Sequence, residues 1–162
     1  MDTFPYILLA DDDMDDCRFF REALEALPIS TSEKVVNDGE ELMRLLTNTV
    51  EKLPQVLFLD LNMPRKSGFQ CLTEIKNNTR LEKIPVVIIS TSYDPDVADA
   101  LYQNGASYYI RKPIGFSQLQ DLISRAIRLI TEKKILRPDK ENFLLGAIHA
   151  KKHKHIKKLE RT

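Results

Sequence analysis

Four short apolar runs punctuate the chain: Tyr6 to Ala10, Val56 to Leu59, Val86 to Ile89 and Tyr108 to Ile110. None alternates with polar residues, and each is bounded by Asp, Pro, Ser or Gly. That is the pattern of strands buried on both faces of a parallel sheet. A weaker strand is predicted near Glu33 to Val36. Between the runs, apolar residues recur every three or four positions, the period of a helix. They are Met14, Cys17, Phe20, Leu24 and Leu27, then Leu42, Leu46 and Val50, then Phe69, Leu72 and Ile75. Asp94 followed by Pro95 reads as an N-cap and first helical residue ahead of Val97 and Leu101. Ser117 and Gln120 give an S-x-x-Q capping-box pattern before the stripe Leu122, Ile123, Ala126, Ile127 and Ile130. This fifth helix is predicted to end near Thr131.

Five strands alternating with five helices argue a doubly wound α/β domain with a five-stranded parallel sheet, in which ligands bind beyond the carboxyl ends of the strands. The residues just past each strand are therefore the ones placed for chemistry. After the first come Asp11, Asp12 and Asp13; after the third, Asp60; after the fourth, Ser90 and Thr91; after the fifth, Lys112. The topology predicts that these residues meet on one edge of the sheet. Carboxylates held together repel one another and raise each other's pKa unless a cation neutralises them. A hard divalent ion suits an all-oxygen cluster, and Mg²⁺ is commonly held by one or two carboxylates plus a phosphate oxygen. An aspartate beside such an ion is a competent nucleophile toward phosphorus. Lys112 would supply positive charge on the other side. Asp13, Asp15 and Asp16 are read only as capping residues and contributors to the local field.

Composition narrows the setting. With 162 residues and 43% apolar content, the chain suits one full core plus an appendage. The net charge is zero but unevenly placed. Residues 1–131 carry 20 acidic and 14 basic side chains, and residues 132–162 carry 4 and 10. No apolar run approaches the roughly 20 residues of a membrane span, and no charged-then-apolar leader precedes the first strand. Cys17 and Cys71 lack a CxxC spacing and fall on apolar helical faces, so both are expected to be reduced core residues in a cytoplasmic protein.

The strings I-L-L-A-D-D-D, L-F-L-D-L-N-M-P-R-K-S-G, P-V-V-I-I-S-T and Y-Y-I-R-K-P resemble, in order, the four signature segments of bacterial response-regulator receiver domains. The intervals fit as well: 48 residues from Asp12 to Asp60, 30 to Ser90 and 22 to Lys112. The resemblance spans about residues 5–131. It looks closest to single-domain receivers of the phytochrome-associated type, from D-D-C-R-F-F-R-E-A-L and N-G-A-S-Y-Y-I-R-K-P.

For the fold, the resemblance implies a flavodoxin-like strand order of 2-1-3-4-5. For the site, it implies that Asp60 is the phosphoacceptor and that Asp12 and Asp60 bind Mg²⁺ directly. Asp11 would act through water, and the main-chain carbonyl of Asn62 would complete the protein ligands. Ser90 and Lys112 would hold the phosphoryl oxygens, and Tyr109 would move with the Ser90 hydroxyl. The Lys112–Pro113 bond would be cis. Thr91 departs from the Ala that many members carry there. Phosphorylation would add roughly −1.5 to −2 charge and switch the surface of the fourth helix, fifth strand and fifth helix.

Such a protein is a regulatory phosphoacceptor rather than a turnover enzyme, assisting its own phosphorylation and dephosphorylation. No histidine lies in residues 1–131; all three, His149, His153 and His155, are in residues 132–162, so a histidine phosphodonor is expected from another protein or from that segment. The expected partners are a sensor histidine kinase or histidine phosphotransfer protein as donor, a downstream protein target and a homodimer mate. A haloacid-dehalogenase-type phosphatase also uses an aspartyl nucleophile, but it needs D-x-D where this chain has Asp60, Leu61 and Asn62.

Residues 132–162 form a basic extension with Phe143, Leu144, Leu145 and Ile148 interspersed. Three readings stand: a solvated disordered extension, a helix or strand packed on the domain or a dimer mate, and a contact with nucleic acid or an acidic membrane. A transcriptional regulator acting through this tail is the corresponding functional alternative.

Overall fold

The structure is a computed structural model that describes residues 4–50, 52–112 and 115–146. Its elements are β1 (Tyr6–Ala10), α1 (Met14–Glu25), β2 (Ser32–Val36), α2 (Gly39–Asn48), β3 (Val56–Asp60), α3 (Gly68–Lys76), β4 (Val86–Ser90), α4 (Pro95–Gln103), β5 (Tyr108–Arg111), α5 (Phe116–Thr131), a short 3₁₀ turn at Lys140–Asn142 and β6 (Leu144–Leu145). All pairings are parallel, and the strand order is β2-β1-β3-β4-β5-β6. The expected order 2-1-3-4-5 holds. A sixth strand, supplied by the extension, is added beside β5.

The unbroken apolar runs are explained by two cores. Successive residues of each strand point to opposite faces. Leu8, Leu57, Leu59, Val86 and Ile88 therefore meet α2, α3 and α4 on one side. Ile7, Leu9, Phe58, Val87 and Ile89 meet α1 and α5 on the other. Each such side chain contributes roughly 1.5–3 kcal/mol on burial.

Several local expectations need correction. Val50 is not on a helix: Thr49 turns extended at ψ 121°, α2 stops, and Val50 stands 92% exposed. Met14 and Phe69 lie on the solvent side of their helices' apolar stripes. The Ser117/Gln120 capping box does not form. The helix starts two residues earlier, with Gly115 as N-cap and no side-chain cap, and Gln120 donates to the carbonyl of Ala26 instead. A capping box does open α3: Ser67 accepts from Gln70 N–H, and the Gln70 side chain accepts from Ser67 N–H. Asp94 caps α4 with Pro95 first in the helix, as its pattern predicts. Both cysteines are free and buried. Burial is the main cause that lifts their thiols, to about 11 for Cys17 and about 12 for Cys71.

Candidate functional site

Strand register builds the site. β1 and β3 are neighbours, as are β3 and β4, so their last residues and the turns after them form one rim. Asp60 ends β3 opposite Ile89, which places Ser90 one step further along the same edge. Asp11 and Asp12 follow β1, and one carboxylate oxygen from each of Asp11, Asp12 and Asp60 lies within 4.8 Å of the other two. Asp13, next in line, caps α1 by accepting from Asp15 N–H and Asp16 N–H. That cap starts the helix immediately above the cluster.

Lys112 reaches across from the end of β5. Its Nζ donates to Asp11 Oδ2 at 2.8 Å and to Asp16 Oδ2 at 2.7 Å, and stands 3.9 Å from Asp60 Oδ2. Burial alone would lower the ammonium's pKa, but hydrogen bonds to the two carboxylates outweigh it and raise it. Asp16 is the residue that sequence reasoning missed as a member of the site. The available signal was its place in the first turn of a helix that begins over the rim.

Asp60 itself is 5% exposed. Burial is the largest influence on it and pushes its carboxyl up to about 7; Lys112 pulls it down and Asp11 pushes it further up. The folded state therefore holds a proton that the unfolded chain, near 3.8, releases. The stability this contributes is fully present below the unfolded value and is lost as pH rises through about 7. With divalent ions chelated, urea unfolding should show wild type weakening between pH 5 and pH 8. Asp60→Asn should lack that slope and exceed wild type at pH 8 by on the order of 2 kcal/mol. A wild-type slope of opposite sign would contradict this.

Asn62 N–H donates to Asp60 Oδ1 at 3.4 Å, so the loop after β3 turns back over the carboxylate. Ser90 is fully buried, and its Oγ accepts from Ser92 N–H at 3.3 Å. Tyr109, opposite Ile88 on β5, is 1% exposed and donates its hydroxyl to the Ser92 carbonyl at 2.6 Å. Thr91 is exposed. Pro113, and with it the expected cis bond, lies outside the described residues, as do His149, His153, His155 and Lys151 to Lys158.

Gly68 supports the Asp60 loop from behind. A Cβ there would stand 2.2 Å from the Asp60 carbonyl oxygen, closer than real atoms approach. Gly68→Ala should therefore push back the strand end that carries Asp60 and lower stability by about 1–3 kcal/mol. A denaturation midpoint unchanged from wild type would refute the contact.

The arrangement is a buried carboxylate beside two others, with a lysine, a serine and an aromatic around it. Such a set can bind a divalent cation and present one aspartate to an incoming phosphoryl group. A family model described as "Response regulator receiver domain" matches residues 7–124. The chain belongs to this family. Among curated relatives, the receiver is 33% identical over 121 residues to Response regulator Rcp1 of Synechocystis sp., covering 72% of this chain and 82% of that protein. Among solved structures, it superposes on the phosphorylated cyanobacterial phytochrome response regulator RcpA with TM-score 0.74 and 32% identity, covering 81% of this chain and 96% of that one. On the Mn²⁺-bound form of Rcp1 the TM-score is 0.70 and the identity 30%, with 83% and 99% covered.

The receiver is thus a regulatory domain of two-component signalling, similar to phytochrome response regulators. Receiver domains of this kind interact with sensor histidine kinases. No helix among the described residues is long and apolar enough to cross a membrane.

Proposed function

We propose that the receiver accepts a phosphoryl group on Asp60 with the aid of Mg²⁺, and that this modification switches the surface formed by α4, β5 and α5. The observation that carries the reading is the convergence of Asp11, Asp12 and Asp60 within 4.8 Å, with Lys112 Nζ bridging to Asp11 at 2.8 Å. Asp12 and Asp60 are the direct metal ligands in this reading, Asp11 acts through water, and the Asn62 carbonyl completes the set. The donors are all oxygen and the buried carboxylates lack enough positive charge of their own, which is the fit a hard divalent ion needs. When bound, Mg²⁺ neutralises the phosphoryl oxygens and keeps Asp60 ionised.

The chain's own groups do the rest. A carboxylate oxygen of Asp60 attacks the phosphorus of a phosphohistidine, the P–N bond breaks, and the freed imidazole takes a proton. Lys112, already 3.9 Å from Asp60, pairs with one phosphoryl oxygen, and the Ser90 hydroxyl donates to another. Movement of Ser90 toward the phosphoryl group leaves space beside Tyr109, whose hydroxyl is two residues away on Ser92. A charge event at Asp60 is thereby converted into a packing change at α4 and β5.

The donor in this reading is a sensor histidine kinase or a histidine phosphotransfer protein, since no histidine lies within residues 1–131. A downstream protein reads the switched surface, and a second copy of the chain is a further candidate partner. The receiver extends to Thr131, and residues 132–162 form an appended segment. Intact-mass measurement after incubation with a small acyl phosphate and Mg²⁺ tests the proposal. One phosphoryl group should be gained, and chelation of Mg²⁺ should prevent it; no gain at any Mg²⁺ concentration would refute it.

A further inference from the structure

The extension does not leave the domain after α5. Residues 135–145 fold back across β5 and α4: Ile135 N–H still bonds the Leu129 carbonyl on α5 at 2.9 Å, and the side-chain hydrogen bonds that follow run to β5, α4 and the turn between them. Tyr108 donates its hydroxyl to the Ile135 carbonyl at 2.8 Å. Tyr102, on α4, donates to the Pro138 carbonyl at 2.7 Å. The Arg137 guanidinium lies 3.8 Å above the Tyr102 ring and donates to the Ala106 carbonyl. Lys140 pairs with Asp99 on α4. Phe143 is 4% exposed, meets the rings of Tyr102 and Tyr109 edge to face, and accepts from Tyr109 N–H at 2.9 Å.

Tyr109 is therefore enclosed from both sides. Inward, its hydroxyl is held by the Ser92 carbonyl and lies beside Ser90. Outward, Phe143 and β6 close the way to solvent. A Tyr109 ring turned outward would occupy the space that Phe143 fills, so docking of the segment and an outward ring exclude each other. Movement of Ser90 toward a group on Asp60 makes room for the inward ring and so favours the arrangement in which the segment docks.

We infer that residues 135–145 are a docking element that senses Asp60 through Tyr109: docking on the α4–β5 edge and phosphoryl ligation at Asp60 strengthen one another. The inference rests on Asp60 being the phosphoacceptor. Coupling between two sites is reciprocal, so it is readable from either end. The sheet edge that a downstream partner meets after phosphorylation is then β6 with its aromatic anchor, not β5.

The test is hydrogen exchange of the full chain in Mg²⁺, with and without beryllofluoride, alongside titrations of variants. Binding should slow exchange in residues 86–92 and, about five-fold or more, in residues 135–145. Phe143→Ala should weaken beryllofluoride binding by a similar factor while Mg²⁺ affinity stays unchanged, and Phe143→Leu should recover part of the loss. Should Phe143→Ala unfold, Arg137→Ala, at an exposed position, removes docking contacts without touching the core and should shift affinity in the same direction. Slowed exchange at 86–92 with none at 135–145 overturns the coupling while leaving the phosphoacceptor intact. Equal beryllofluoride affinity in the folded variants overturns it too. No response in either segment removes the Asp60 reading and this inference with it.

Discussion

Asp60→Asn is expected to abolish phosphorylation altogether while leaving a folded and more stable protein. An amide has no anionic oxygen with which to form the P–O bond, and no neighbouring carboxylate is equally placed. Asp11 is tied to Lys112, Asp16 shares the same ammonium, and Asp12 is solvent-exposed. The side-chain volume hardly changes, so the loss cannot be attributed to misfolding. It should be accompanied by the gain at alkaline pH that comes from Asp60 being raised to about 7 by burial. Intact mass and urea unfolding of the same preparation separate the two effects. Retained phosphoryl uptake by the variant would mean that another residue is the acceptor.

Lys112→Ala should separate metal binding from chemistry in opposite directions. The ammonium is the cation paired with Asp11 and Asp16 and the one nearest Asp60. Its removal leaves three carboxylates facing one another, so the chelated protein should lose about 3 kcal/mol of stability or more. The same charge change should tighten Mg²⁺ binding, because a competing positive charge is gone. Phosphorylation should nevertheless slow by roughly 10²–10³-fold, the cost of losing one donor to a developing oxyanion. Lys112→Arg should restore little of the rate, since a planar fork does not take the position of a compact ammonium. Weaker Mg²⁺ binding in Lys112→Ala, or an unchanged phosphorylation rate, would contradict this account of the site.

Four of the predicted strands coincide with β1, β3, β4 and β5 because these are short and buried on both faces, so apolar continuity alone marks them; β2, with Ser32 and Lys34 exposed, carries only a weak signal. Asp11, Asp12, Asp60, Ser90 and Lys112 were legible for a related reason: parallel topology delivers every strand's carboxyl end to one rim, so linear spacing reports spatial proximity. Helix ends were less legible. S-x-x-Q occurs at both Ser67 and Ser117, and only the backbone entry into each helix decides which Ser becomes a cap.

The contact of Asp16 with Lys112 and the choice among the three readings of the extension were out of reach for a different reason. A carboxylate in a first helical turn has the same local pattern whether it faces water or Lys112, and the choice depends on how α1 is seated over the sheet. Likewise a strand packed on the domain was one of three readings of the extension, and Phe143 and Leu145 are too few apolar residues to choose among them. They are buried only because β5 offers an open edge and Tyr102 and Tyr109 offer ring edges, partners more than 30 positions away in the chain. The amino-acid order alone thus determined the alternating elements and the polar residues at the strand ends, since both depend on local period and topology. The tertiary structure alone decided which carboxylates share the lysine and where the extension rests, since those depend on long-range packing that local pattern does not encode.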